Sequence, residues 1–409
     1  MTQDDRGIGA TVATVADPEP TRAEPSPQSA TKPAKRPYLY QIDLFRILTF
    51  ACVIMVHVVS GSAGPEDVVS NGLQVLLHFT REAFFALTGF VLIYQYMNRP
   101  VSAVAFWRRR FTLIGIPYLA WSVFYWLYSI YLGNWSEPVG RALWRLVFEV
   151  ATGQAWYQMY FLLVSMQVYL LFPLLMKLLR ATEGHHRWVL AVSAVLQLGF
   201  LYWWVNPPTL SGTAASLWVH LYVWVFPYQF YILLGAVAAW HFETLQRIVR
   251  RFGVWFVVGA VVTTVLTELD YLRSTHLGMP PSTASDIFLP HMMVFFILTI
   301  AGQYALCTWW NARRKDGSFV ARAVTWGSDR SFAVFLLHPL ALQLIAPYII
   351  PMQHPLGIYW TMAVVYIWVV AISLILAEFV RRIPGSMWLT GRPMVRTDFS
   401  LITQRFRAE

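Results

Sequence analysis

Apolar residues run along this chain in long blocks, separated by short stretches rich in Arg, Gly, Pro and Asn. About 20 apolar residues in an α-helix cover a hydrocarbon core roughly 30 Å thick. The pattern predicts spans at 41–60, 73–97, 111–132, 156–178, 188–205, 217–240, 254–272, 287–310, 331–350 and 359–380. The breaks carry turn chemistry, as at 61–65, 206–212 and 278–285. The segment 135–150 is amphipathic and is expected to lie in the interface between spans three and four. The expected fold class is therefore an all-α integral membrane bundle of about ten transmembrane helices.

The placement of positive charge sets the expected orientation. With the N-terminus inside, the inner flanks hold 22 Lys and Arg, including Arg108, Arg109 and Arg110, and the outer loops hold 3, namely Arg141, Arg145 and Arg273. Cytoplasmic loops carry such an excess of Lys and Arg, and one span more or fewer would destroy the alternation. Both termini are expected in the cytoplasm, and the protein is expected to be a multi-pass protein of the cell membrane.

Composition agrees with the pattern. Of 409 residues, 57% are hydrophobic and 13% charged, against about 25% charged in soluble domains. The formal charge of +10 would point to nucleic acid in a soluble protein. Here the positive residues sit in loops between apolar blocks, so the partner they indicate is a lipid bilayer and no nucleic acid. Cys52 and Cys307 both fall inside apolar spans, which suggests no disulfide framework. Residues 1–37 are rich in Pro, Ala, Thr and acids and contain no apolar run, the pattern of a disordered cytoplasmic tail. The membrane domain is expected over 38–382, with a cytoplasmic C-terminal tail over 383–409.

Ionisable groups inside spans are costly and so are candidates for function. Span one carries Asp43, Arg46 and His57. His57 lies eleven positions after Arg46, about three turns, which leaves them within roughly 20° around the helix and some 16 Å apart along it. Asp43 falls on the same stripe. One alternative pairs Asp43 with Arg46 as an interfacial salt bridge and leaves His57 bonded to a neighbouring helix. Span two carries His78, Arg81 and Glu82, with His78 starting near the depth of His57. A carboxylate beside a histidine orients a general base and fixes its tautomer. The alternative is a polar cluster that only holds helices together. Arg108, Arg109 and Arg110 serve either as a topogenic signal or as a phosphate clamp, since Arg suits phosphate by bidentate geometry. His338 stands near mid-membrane, and Pro339 beside it frees a backbone carbonyl. No metal-ligand spacing, GxSxG elbow, P-loop or GxGxxG turn stands out.

Five segments together resemble the acyltransferase 3 family of ten-span membrane acyltransferases. They are Asp43-Leu-Phe-Arg46 with His57 ten intervening residues later, Thr80-Arg-Glu-Ala-Phe-Phe-Ala-Leu-Thr-Gly-Phe90, and Arg110-Phe-Thr-Leu-Ile-Gly-Ile-Pro-Tyr118. Trp156-Tyr157 with Tyr169-Leu-Leu-Phe-Pro173, and Ser331-Phe-Ala-Val-Phe-Leu-Leu-His-Pro339, complete the set. Thr88 stands where the family has serine, and Leu113 and Ile114 stand where a further arginine is frequent.

The resemblance implies transfer of an acyl group, acetyl above all, from cytoplasmic acyl-coenzyme A to a hydroxyl of an envelope glycan, lipid or related metabolite. Acyl-coenzyme A is then a donor substrate, and no bound cofactor is expected. It also implies catalytic roles for His57, Glu82 and Arg46. Donor or substrate binding would fall to Asp43, Arg81, Arg108, Arg109, Arg110, Trp156, Tyr157 and His338. A transporter of a glycan or lipid intermediate would line its path with the same polar residues, but no inverted internal repeat is visible. A sensor or scaffold is the third class.

Overall fold

A computed structural model of the chain describes residues 36–99, 102–133 and 137–395. The expected tail over 1–37 and the distal part of the C-terminal one therefore lie almost wholly outside the described residues. The helices are α1 Tyr40–Ser62, α2 Val68–Leu77, α3 Phe79–Tyr96, α4 Ala103–Gly133, α5 Val139–Thr152, α6 Met159–Ala181 and α7 His186–Val205. They continue with α8 Gly212–Val219, α9 Gln229–Trp240, α10 Phe242–His276, α11 Pro281–Ala284, α12 Met292–Arg313, α13 Phe319–Val380 and α14 Ser386–Thr390. No strand occurs among the described residues. Eight helices are long and apolar enough to cross a membrane, with α2 and α3 counted together.

Three of the expected spans depart from this list in instructive ways. Spans nine and ten form one run of 62 residues, broken at Gly357, whose φ of 74° and ψ of 168° leave the helical region. Glycine meets a positive φ without the Cβ penalty that other residues carry. Span six is not one helix but α8, two short turns of 3-10 helix and the 12-residue α9. The break coincides with Pro227, which lacks an N–H. Neighbouring side chains take up the freed backbone groups. Gln167 on α6 donates to Val223 O at 2.8 Å and accepts from Val225 N at 2.9 Å, and Gln197 on α7 donates to Pro227 O at 2.8 Å. Irregular backbone survives at membrane depth only with such partners.

The most extensive packings are α10 on α12, α3 on α9 and α1 on α13. The α3–α9 crossing depends on two small residues. A Cβ on Gly89 would lie 2.1 Å from Ile232 O, and one on Gly235 would lie 1.8 Å from Ala86 O. In lipid, where apolar burial between helices gains little, such backbone-to-backbone approach drives association. It fixes α3, and with it Arg81 and Glu82, against the rest of the bundle.

Beyond Arg382 the described chain does not leave the bundle. Trp121 on α4 donates to Leu389 O at 2.8 Å, and Val395 N donates back to Arg381 O at 2.8 Å. The segment 383–395, the start of the expected C-terminal tail, is thus packed against the bundle. Ion pairs from Arg381 to Asp329 at 2.7 Å and from Arg330 to Glu378 at 2.6 Å tie the two ends of α13 together beside it.

Candidate functional site

The site residues divide between two ends of the bundle. At the end carrying Arg108, Arg109 and Arg110, the start of α1 meets α13. Asp43 is 3% exposed and accepts from Tyr38 at 2.8 Å and from Ser328 at 2.6 Å. Arg46 donates to Ser328 Oγ at 3.1 Å and stands 3.9 Å from the Asp43 carboxylate. The expected pairing of Asp43 with Arg46 is present, with Ser328 wedged between them. Of the three arginines on α4, Arg108 and Arg109 are exposed, and Arg110 turns inward. It donates to Gln95 at 2.9 Å and lies over the rings of Tyr96 and Tyr169. Tyr169 also interacts with Arg46, so two guanidiniums flank one phenol.

Some 16 Å further along α1 by helical rise, His57 enters a different environment. Its ring lies 4.4 Å from that of Tyr157 and stacks on His338 at 5.2 Å and 27°. Trp156 packs behind, 5.1 Å from Tyr125. His338 is fully buried, and its Nδ1 lies 2.8 Å from Phe335 O. Pro339 has no N–H to give that carbonyl, which sits four residues before it, so the histidine's own side chain takes the vacant position. A carbonyl only accepts, so Nδ1 carries the proton and Nε2 keeps its lone pair. That Nε2 is buried without a hydrogen-bond partner.

His57 lines a chamber of about 210 Å³ with His78, Arg81, Tyr157, Gln158 and Tyr160. His78 sits at the bend between α2 and α3. His78, Arg81, Tyr160 and Ile287 also line a wider vestibule of about 840 Å³. The vestibule walls combine the rings of Trp204, Trp218 and Phe288 with the polar groups of Asn71, Gln74 and Asp286. Trp204 Nε1 donates to Asp286 at 3.3 Å, and the Trp204 and Trp218 rings lie 6.3 Å apart and 20° from parallel.

Glu82 does not meet His57 as the sequence suggested. Its Oε1 accepts from Arg81 Nε at 3.1 Å and Nη2 at 2.7 Å, while Oε2 has no hydrogen-bond partner. The reason lies in helical direction, because adjacent residues diverge by 100° and Arg81 intervenes on the chamber side. The guanidinium lies against the rings of Tyr228 at 4.8 Å and Phe288 at 4.7 Å. Glu82 thus positions Arg81, and Arg81 faces both cavities.

His57, His78 and Arg81, which the sequence put near one depth, line one chamber, and His338, which it left apart, stacks on His57. Tyr38, Ser328, Gln158, Tyr160 and Phe288 were not singled out. Gln158 directly follows Trp156-Tyr157, and a polar residue inside that aromatic run was the signal available. Thr88, in place of serine, donates its hydroxyl to Phe84 O at 2.8 Å within its own helix.

A model of the acyltransferase domain that defines the acyltransferase 3 family matches residues 39–378. The chain belongs to this family. Its similarity extends to curated relatives from Staphylococcus aureus. The protein of strain MRSA252, named probable poly-beta-1,6-N-acetyl-D-glucosamine export protein, is 23% identical over 354 residues, covering 83% of this chain and 93% of the relative. The same name, identity and coverage hold for the protein of strain MSSA476. No solved structure matches the chain. The acyltransferase 3 membership and the eight long apolar helices together make this a multi-pass membrane protein of acyltransferase type.

Proposed function

We propose that this protein moves an acyl group, acetyl above all, from acyl-coenzyme A to a hydroxyl of a glycan or lipid across the membrane. The observation that carries this reading is the chamber lined by His57 and Arg81, with His338 stacked on His57 behind it, between a basic end and an aromatic vestibule. We count ten spans, taking the two halves of α13 separately and α9 with its preceding turns as one crossing. Both termini then face the cytoplasm, and the basic end is the cytoplasmic one.

Coenzyme A is anionic, and Arg46 and Arg110 offer guanidiniums for its phosphates where the donor arrives. The thioester reaches up toward His57. The acceptor enters the vestibule from the other side, where flat rings suit sugar faces and Asn71, Gln74 and Asp286 suit hydroxyls. His57 takes the proton from the acceptor hydroxyl as its oxygen attacks the thioester carbon, a role worth typically 10²–10⁴ in rate. Tyr157 and His338 both pack on the His57 ring and hold its orientation, and Arg81 stands at the neck where the acceptor passes.

The relatives named for polysaccharide export favour a second reading, in which the same residues line a glycan path. The chamber argues against it, having a quarter of the vestibule's volume and a paired guanidinium at its neck. Membranes containing the protein, incubated with radiolabelled acetyl-coenzyme A, should transfer label to a glycan or lipid fraction. Unlabelled fractions, combined with glycan appearing outside only when the protein is present, would replace transfer with export.

A further inference from the structure

The chamber contains a polar side chain that neither the fold nor the proposed chemistry has so far employed. Gln158 is 2% exposed; its carboxamide contacts the Tyr125 hydroxyl, and neither its Oε1 nor its Nε2 meets any other hydrogen-bonding group. Tyr125, the phenol beside it, gives its hydroxyl to Leu336 O at 2.6 Å. The loop that presents Gln158 is held firmly. It leaves α5 at Gly153, whose φ is 71° and whose Cβ, if present, would lie 2.6 Å from Tyr160 Cα. Gln154 N donates to Glu149 O and Met159 N to Trp156 O, both at 2.9 Å. Trp156 and Tyr157 pack on Tyr125 and His57 on either side. Gln158 itself is the N-cap of the 23-residue α6, so the positive end of that helix dipole faces the same place.

Buried amides are almost always fully paired, and one at a cavity wall with a single phenol beside it marks a missing partner. The chamber offers few other free donors for a developing negative charge, since Arg81 already gives Nε and Nη2 to Glu82. We propose that the Gln158 carboxamide is the hydrogen-bond donor to the thioester carbonyl oxygen and holds the oxyanion that forms on it. This inference rests on the acyl-transfer reading above. In the step, the acceptor oxygen bonds to the carbonyl carbon while its proton passes to His57. The carbonyl π pair moves onto oxygen, where Gln158 Nε2–H and the first turn of α6 face it. Collapse re-forms the C=O and breaks the C–S bond, and the coenzyme A thiolate takes the proton back from His57. No oxidant or further reactant is needed. A donor already in place costs no reorganisation at the moment charge develops, which is why such groups are worth about 10²–10³ in kcat.

The test uses the full-length protein in liposomes with the substitution Gln158→Leu, which keeps volume and removes the donor. The expected result is a fall in kcat of about 10²–10³ with donor KM and thermal midpoint little changed. Gln158→Glu, of the same shape but without an N–H when ionised, should be no better, and Gln158→His, which restores a donor, should recover part of the loss. A second readout needs no turnover. Acetyl-coenzyme A labelled with ¹³C at the carbonyl, bound to the inactive His57→Ala protein, should show a lowered C=O stretching frequency that is lost when Gln158→Leu is added. Wild-type kcat in Gln158→Leu, or an unchanged carbonyl frequency, overturns the proposal. Activity lost in Gln158→Leu but kept in His57→Gln would remove the base assignment and leave this one standing. Wild-type protein that neither binds nor transfers the acetyl group would remove both.

Discussion

The two ends of α1 treat polar groups in opposite ways. Around Asp43 the groups are mutually satisfied: Tyr38 and Ser328 donate to the carboxylate, and Arg46 donates to Ser328. Around His57 they are not: His338 Nε2 and Glu82 Oε2 are buried without partners, and the Gln158 carboxamide meets only the Tyr125 hydroxyl. Leaving a buried donor or acceptor unpaired costs about 1–3 kcal/mol. A sequence that satisfies one cluster and leaves the other open has placed its stability in the first and its chemistry in the second. Substitutions at the two ends should accordingly fail in different assays.

The largest effect is expected where that contrast is broken in the chamber. His338→Leu should lower acyl transfer at least tenfold, because it removes the face on which His57 stacks and a free lone pair, yet leave the thermal midpoint unchanged or raised. Equal losses of both would make His338 a packing residue. Asp43→Ala should do the reverse, destabilising the protein by about 2–3 kcal/mol, visible as a lower midpoint in detergent, because Tyr38 and Ser328 lose their acceptor and Arg46 its counter-ion. Glu82→Gln should reduce transfer by an intermediate amount, since Arg81 keeps its aromatic contacts with Tyr228 and Phe288 and loses its charged anchor. A rate equal to wild type would show that the anchor is dispensable.

The smallest effect concerns the donor. Arg110→Gln should raise the KM for acetyl-coenzyme A about tenfold, the worth of one charge-assisted hydrogen bond, with the defect deepening as salt screens the remaining charges. Arg108→Gln, at an exposed position, should change it little. Each variant must insert normally, which reporters fused after Arg382 and near Asp316 will show by both reading cytoplasm. A signal from the far side at either place contradicts the ten-span count.

Much of this fold was legible because membrane depth imposes a length on every apolar block. The family frame and the stripe of Asp43, Arg46 and His57 followed from motif order and from 3.6-residue geometry. Three things were not legible, each for a physical reason. Span six could not be seen as broken, because Gln167 and Gln197, which repair the break, are contributed by other helices. Glu82 and His57 looked adjacent in depth, but rotation about the α3 axis turns the carboxylate onto Arg81. His338 stood alone in sequence, and only the packing of α1 on α13 brings it to His57.

The most direct test of the central claim is the acyl-transfer rate of purified His57→Gln protein in liposomes, measured with radiolabelled acetyl-coenzyme A. Glutamine keeps a similar volume and a hydrogen-bonding side chain but accepts no proton near neutral pH. The expected result is a rate lower by about 10²–10⁴ in a protein whose thermal midpoint matches wild type. A rate near wild type would contradict the account, leaving the His57 chamber as packing and moving the search for the base to His338 or His78.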